Sequence, residues 1–388
     1  MATQGIGLLR EQQVFVVKEA TSGTIAYPSA TDFIVAAGMA TLKQTEAFED
    51  SPKIYNSRDI TDVCQNQTPP GEWMIPVLLQ PSGVAGTPPA EAKLMEGWLG
   101  QQTINAGTSV VYSQTIEKPS YTIWVRSGHT VFYGIGATVN TPKITFDTSC
   151  QIKADFAGQF MKMGWAGSSQ LSAAKTSGTT CVVDDAKLYT VGSMIYFVNA
   201  AGTTTDDNTG SGYTVTGVNT TTNTLTFSPS SASSFAIDDW VKGFLPDGTE
   251  VGTGPVKARS GIVSIDAVNI KTRSFTINST DNIKYLDDER TDSGYPESYV
   301  EGTRNLTGDM SLYFRAPDLA YYQDARDNDY KVLAFNVGNT AGAQVEFEML
   351  RTQIEMPEIE NADPTLGIKA NYRSIGTSGE DSMTVTYT

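Results

Sequence analysis

The pentapeptide Ile152-Lys-Ala-Asp-Phe156 returns near the end of the chain as Ile368-Lys-Ala-Asn-Tyr372. A second matched stretch precedes each copy. Gly71-Glu-Trp-Met-Ile-Pro-Val leads to Pro81 and the segment Pro88–Leu99, and Gly308-Asp-Met-Ser-Leu-Tyr-Phe leads to Pro317–Arg326. Both trailing segments read as short helices. Pro88–Leu99 has proline at its start, Glu91 early, Ala90, Leu94 and Trp98 on one face, and Gly100 as a stop. Pro317–Arg326 opens with proline then aspartate and sets Leu319 and Tyr322 on one face. The order strand, helix, strands, long strand is thus used twice, the signature of a repeated structural unit.

Around these landmarks, short runs rich in β-branched and aromatic residues dominate. Thr122–Val125, Val131–Tyr133, Lys143–Phe146, Met194–Val198, Tyr213–Val218 and Arg273–Ile277 are bounded by Gly, Pro, Asn and Asp, which is strand-and-turn chemistry. Between the copies, Ser168–Gly254 is dense in Thr and Ser. Its strands (Cys181–Val183, Ser193–Asn199, Tyr213–Val218, Thr224–Phe227, Trp240–Phe244) predict a small inserted β-domain, barrel-like or sandwich-like. The expected division is 1–167, 168–254 and 255–388: one unit, an insert, and the unit again. Gly167 and Gly254 suit flexible joints, so the insert is expected to project outward and to be dispensable. Met1–Gln12 lacks periodicity and reads as an arm.

Composition narrows the function. The 388 residues carry 43 Asp+Glu against 27 Lys+Arg, a formal charge of −16. A duplex-DNA reader needs basic patches to displace counterions, so nucleic acid should be repelled. An apolar fraction of 39% argues against a disordered acidic chain. Cys64, Cys150 and Cys181 are too few and too scattered for a disulfide framework. With no basic, apolar leader in Met1–Arg10 and no long apolar run, the expectation is a chain without a membrane span that folds in a reducing cytoplasm.

Active-site patterns are missing. His129, in Ser-Gly-His-Thr, is the one histidine, which excludes H-E-x-x-H and leaves a turn histidine as the plain reading. There is no C-x-x-C and no phosphate-binding loop, and Gly134-Ile-Gly136 lacks the third glycine of a dinucleotide loop and reads as a turn. Acid pairs at Asp184-Asp185, Asp206-Asp207, Asp238-Asp239, Asp287-Asp-Glu289 and Asp324–Asp329 fall where turns are expected and fit no calcium loop. No cofactor or metal is expected, and no enzyme. Val345-Glu-Phe-Glu-Met349 alternates strictly, with Glu346 and Glu348 on the face opposite the core, as in any solvent-facing strand. Glu46 and Glu49, which flank Phe48, and Asp155 beside Phe156 repeat the pattern more weakly.

Taken together, the chain resembles the tail tube (major tail) proteins of long-tailed, non-contractile bacteriophages. The resemblance rests on Lys18-Glu-Ala-Thr-Ser-Gly-Thr24, on Gly71-Glu-Trp through Leu79-Gln-Pro-Ser-Gly83 with the helix ending Trp98-Leu-Gly100, and on Gly134-Ile-Gly-Ala-Thr-Val-Asn140 with Ile144-Thr-Phe146. Ile262 through Asp309 to Tyr387 follows the same order. It implies a mainly β fold, here a duplicated β-sandwich or barrel unit with one short helix in each copy, plus the small inserted β-domain. Such units join their sheets across neighbours into an inner barrel, stacked as rings into a tube that conducts double-stranded DNA from capsid to cell. Under this resemblance Glu346, Glu348, Asp155, Glu46 and Glu49 become candidates for an acidic, non-sticking lumen. The loop between the first two strands of a unit would make ring-to-ring contacts, here Glu49–Pro70 and Thr280–Asn305, with Asp50, Tyr55, Arg58, Asp287, Asp288, Glu289 and Arg290 as candidates.

Family members with one unit form six-membered rings, so two units per chain imply a trimer with pseudo-sixfold symmetry, a hexamer being the alternative. Tape measure, terminator and tip proteins would be partners, and the virion tail the location, after assembly in the host cytoplasm. Two other functions compete: a secreted β-rich adhesin or carbohydrate-binding protein, and a tail-spike glycosidase using paired acids.

Overall fold

Alternation of side chains decides where the strands form. In Gly71–Leu78, Trp73, Ile75 and Val77 are buried while Glu72 and Met74 are exposed, and in Val345–Ile354 the same period buries Val345, Phe347 and Met349. The structure is a computed structural model that describes residues 11–388 except 47, 52–58, 61, 147–150, 253, 257–260, 290 and 363. Tyr55, Arg58, Arg290, Cys150 and residues 1–10 of the expected arm lie outside the described residues.

The principal strands form two sets. The first comprises β1 Gln13–Lys18, β2 Thr41–Lys43, β3 Gly71–Leu78, β4 Gly100–Asn105, β5 Ser109–Gln114, β6 Tyr121–Ser127, β7 Thr130–Val139, β8 Lys143–Phe146, β9 Lys153–Phe160 and β10 Lys162–Ala166, with helix α1 Ala92–Leu99 after β3. The second comprises β11 Ile262–Ile265, β12 Thr272–Thr280, β13 Asn305–Tyr313, β14 Tyr330–Val337, β15 Val345–Ile354, β16 Glu358–Ala362, β17 Thr365–Ser374 and β18 Thr384–Tyr387, with α2 Ala320–Asp327 after β13.

Pairing repeats from one set to the other, antiparallel throughout. β3 lies between β2 and β9 as β13 lies between β12 and β17. β9 pairs β8 near its start and β7 near its end, as β17 pairs β16 and β15. β7 then pairs β6 and β10 as β15 pairs β14 and β18, and β6 pairs β1 as β14 pairs β11. The fold is therefore mainly β and duplicated, with one short helix per copy. Hairpin β4–β5 has no counterpart among the described residues of the second set and extends the β14-β15-β18 ladder through β18.

The repeat is not in the register that its sequence suggests. Gly71 stands opposite Phe160 and Gly308 opposite Tyr372, and in each case the aromatic side chain fills the space that a Cβ on the glycine would need. The matching pentapeptides would equate Tyr372 with Phe156 instead, four residues away. An even displacement leaves the same alternation facing the core, so the strand tolerates the shift.

The helices begin later than expected. α1 starts at Ala92, after Glu91 at φ −88 and ψ 13, whose carboxylate accepts from the Gln80 amide, and α2 is preceded by a 3-10 turn, Ala316–Leu319. α1 buries Leu94, Met95, Trp98 and Leu99 between the layers, whereas α2 buries none of its described side chains. Gly134-Ile-Gly136 is not a turn but part of β7, bulged between Gly134 and Ala137. Gly136 has φ +67, and Met161 lies where its Cβ would point, so glycine serves a bulge here.

Ser168–Gln170 to Trp240–Gly243 form a separate seven-stranded sheet around Leu171, Val183, Ile195, Phe197 and Phe227. It is not loosely jointed. The Gly167 amide donates to Leu188 O (2.8 Å), its carbonyl accepts from the Gly243 amide (2.9 Å), and Met194, Phe244 and Leu245 pack on Phe15, Trp124, Val131 and Tyr133.

Candidate functional site

Following the pairings edge to edge gives one continuous eight-stranded sheet, β2-β3-β9-β8-β12-β13-β17-β16, four strands from each set. The halves meet where β8 pairs β12: Lys143 faces Asn278, Ile144 faces Ile277, Thr145 faces Thr276 and Phe146 faces Phe275. Phe146 crosses this junction, its ring centroid 3.7 Å from that of Phe335, 5.9 Å from Phe275 and 5.7 Å from Phe347. A buried ionic cluster also ties the sets together. Lys118 bonds Asp281, which accepts from Arg304 Nε at 3.2 Å, and Arg304 donates to Thr115 O at 3.0 Å. Burial pulls the Lys118 ammonium below its ordinary pKa, against the pull of Asp281.

One face of the sheet is core and the other is polar. On the polar face, cations stand directly opposite carboxylates in the ladder: Lys43 opposite Glu72, Lys143 opposite Asp155, and Lys369 opposite Glu358. Glu360 reaches over Gly367, accepts from Ser311 Oγ, and pairs with Arg273 Nη1 at 2.8 Å. At one end, Thr41, Lys43, Glu72, Gln159 and Asn282 line an open hollow of about 760 Å³.

The two loops that leave this sheet after β2 and after β12 lie side by side. The Thr68 amide donates to Gly294 O at 2.9 Å, and Lys162 stacks over Tyr295. The first loop carries a small hairpin, Phe48–Asp50 with Val63–Gln65, on which Asp50 and Glu49 are exposed. Phe48 (65%), Ile60 (63%) and Val63 (53%) are large apolar side chains left in solvent there. Asp287, Asp288 and Glu289 are exposed on the second loop, with Lys284 4.0 Å from Asp288.

The residues singled out in the sequence do not converge on one surface. Asp155 is on the polar face of the eight-stranded sheet. Glu346 and Glu348 are on β15 in the other layer, between β14 and β18; burial raises the Glu346 pKa, and Glu348 raises it further. Glu46 and Glu49 belong to the first loop, where Glu46 accepts from Gln65 Nε2 (2.6 Å) and Thr68 Oγ1 (2.9 Å). Sequence reasoning missed Lys43, Lys143 and Lys369, because their significance lies in cross-strand partners that no local pattern reveals.

No catalytic arrangement emerges from these groups. His129 is exposed in the turn between β6 and β7. Asp206 accepts from Tyr213 Oη and Ser231 Oγ, and Asp239 from the Ala200 and Ala236 amides, so these acids serve turns. Among the described residues, no group of three or more His, Cys, Asp and Glu could hold a metal ion, and no helix is long and apolar enough to cross a membrane.

A search of curated proteins finds no match. A family described as phage tail tube protein matches residues 10–385, nearly the whole chain, and it is a structural family rather than an enzyme family. The doubled β-sandwich and its shared eight-stranded sheet are thus the architecture of a virion tail component, and the chain belongs to the phage tail tube protein family.

Proposed function

We propose that the chain assembles as stacked rings into the tail tube of a long-tailed, non-contractile phage, and that the tube conducts double-stranded DNA during ejection. The observation that carries this reading is the eight-stranded sheet: a wall segment built of two equivalent halves, whose edge strands β2 and β16 each have one ladder partner among the described residues. An open sheet with free edges invites edge-to-edge pairing, and closing it into a barrel removes them. On this reading 1–167 and 255–388 are two tube units, 168–254 is a decoration, and three chains close a ring of six units with pseudo-sixfold symmetry. The loops 44–70 and 281–304 leave the sheet from the same end, and the exposed Phe48, Ile60 and Val63 there suit contact with the next ring. A tape measure protein inside the tube and terminator and tip proteins at its ends complete the assembly, which forms in the host cytoplasm.

The polar face of the sheet would line the lumen. Asp155 then keeps its place in the lining; Glu346 and Glu348 go to the outer layer, and Glu46 and Glu49 to the ring-to-ring contact. The lining is mixed rather than acidic, because Lys43, Lys143 and Lys369 stand among Glu72, Asp155 and Glu358. Lys43, Lys143 and Lys369 each face a carboxylate, whereas Lys153 faces Thr145 and Leu78, so DNA meets a single cation rather than an unopposed basic stripe from which to displace counterions. With screening over ~8 Å at physiological salt, only the wall's nearest charges act on the phosphates. Electron microscopy of purified, concentrated protein tests the reading. Hollow tubes whose cross-section shows three protruding inserts uphold it; persistent monomers overturn the tube, and six equal protrusions overturn the trimer.

A further inference from the structure

The β8–β12 junction inside the chain is a template for a contact between chains. In the second set β16 holds the place that β8 holds in the first, and β2 holds the place of β12. Those two strands, β2 and β16, are also the outer edges of the eight-stranded sheet. We propose that β16 of one chain pairs antiparallel with β2 of a second copy, in the register that β8 and β12 use within the chain. The proposal rests on the tube reading and adds the two strands and their alignment.

The register follows from the ladders. Lys143 faces Asp155, which faces Pro76, five residues after Gly71; Glu360 faces Gly367, which faces Tyr313, five residues after Gly308. Glu360 is therefore the counterpart of Lys143. Leu42 faces Trp73 and Phe275 faces Met310, each partner two residues beyond its glycine, so Leu42 is the counterpart of Phe275. Since Lys143 faces Asn278 and Thr145 faces Thr276, Glu360 of one chain faces Thr45 of the next, and Ala362 faces Lys43. Lys43 is then diagonal to Glu360 on the polar face, within reach of an opposite-charge contact.

One further feature fits: β2 spans three residues where β12 spans nine, as expected of a strand whose outer partner is still to arrive.

The test is cross-linking in a Cys64→Ser, Cys150→Ser background. Lys43→Cys with Ala362→Cys, and separately Thr45→Cys with Glu360→Cys, place two thiols opposite each other across the seam. Oxidation, or a short bis-thiol reagent, should give interchain bands ending in a covalent ring; Lys43→Cys with Asn361→Cys, one residue out of register, should give far less because its thiols lie on opposite faces. Multimers or tubes that form but link through neither in-register pair, or link best through the shifted pair, overturn the seam. Interchain bands from the in-register pairs without any tubes uphold the seam and overturn the tube reading alone.

Discussion

Glu91 joins the two halves of the molecule through a single carboxyl group. Its oxygens accept from the Gln80 amide and from Tyr387 Oη at 2.6 Å, so the first set's helix is tied to the second set's last strand. Complete burial pushes its pKa up to about 7, partly offset by the hydrogen bonds from Tyr387 and Gln80. An unfolded chain releases this proton near its ordinary value, 4.5, whereas the folded chain holds it until about 7. Within that window the folded state binds more protons, so stability falls as pH rises. Above the window the loss reaches about 3 kcal/mol. Glu91→Gln retains an acceptor for both donors and has no proton to lose. Thermal melts from pH 4.5 to 8 should show a flatter slope for Glu91→Gln than for wild type, and a higher melting temperature for the variant at pH 8; parallel slopes would refute the assignment.

At the scale of elements, the strands were legible and their partners were not. Lys143–Phe146 and Met194–Val198 stand out as runs of β-branched and aromatic residues, and both are strands over those same residues. Local pattern sufficed there because the preference is carried by the residues themselves. Gly134-Ile-Gly136 misled because a glycine pair looks like a turn, while its real requirement is the space taken by Phe160 and Met161. The pentapeptide match misled in register by four residues, since cross-strand packing of Gly71 on Phe160 and Gly308 on Tyr372 fixes alignment. Junction β8–β12 was invisible for the same reason, and it is where the two halves share one sheet. Phe146 is 4% exposed among three rings of the second half. Phe146→Ala should cost ~3–5 kcal/mol in urea unfolding. It should also open hydrogen exchange along β8 and β12 before the outer layers. A loss below 1 kcal/mol, or uniform exchange, would mean that the junction is not held by this ring.

For the whole molecule, the charge of −16 and the Thr- and Ser-rich insert take on different meanings once the layers are known. On the polar face of the eight-stranded sheet Lys43, Lys143, Lys369 and Arg273 match Glu72, Asp155, Glu358 and Glu360, so that face is not where the acidic surplus is concentrated. The sequence suggested an insert hung on glycine joints. The structure instead seats it on Phe15, Trp124, Val131 and Tyr133, all buried, with Arg126 Nη2 donating to Leu245 O at 3.1 Å. Residues beyond Gly243 are part of that cover: Phe244 and Leu245 pack there, the Thr249 amide donates to Ala30 O, and Gln80 Nε2 donates to Glu250 and Val251 O. Two deletions should therefore behave differently. Removing 168–254 uncovers a contiguous aromatic patch, and a large exposed apolar patch drives association, so that variant should be insoluble. Removing only 168–243 and closing the gap with a short glycine-serine linker leaves Phe244 and Leu245 in place. That variant should stay largely soluble, and it should form tubes with smooth walls that lack protrusions. Soluble yield and electron micrographs of the two variants decide it: equal solubility would show that the segment after Gly243 covers nothing, and a soluble short deletion that forms no tubes would assign the insert a part in assembly.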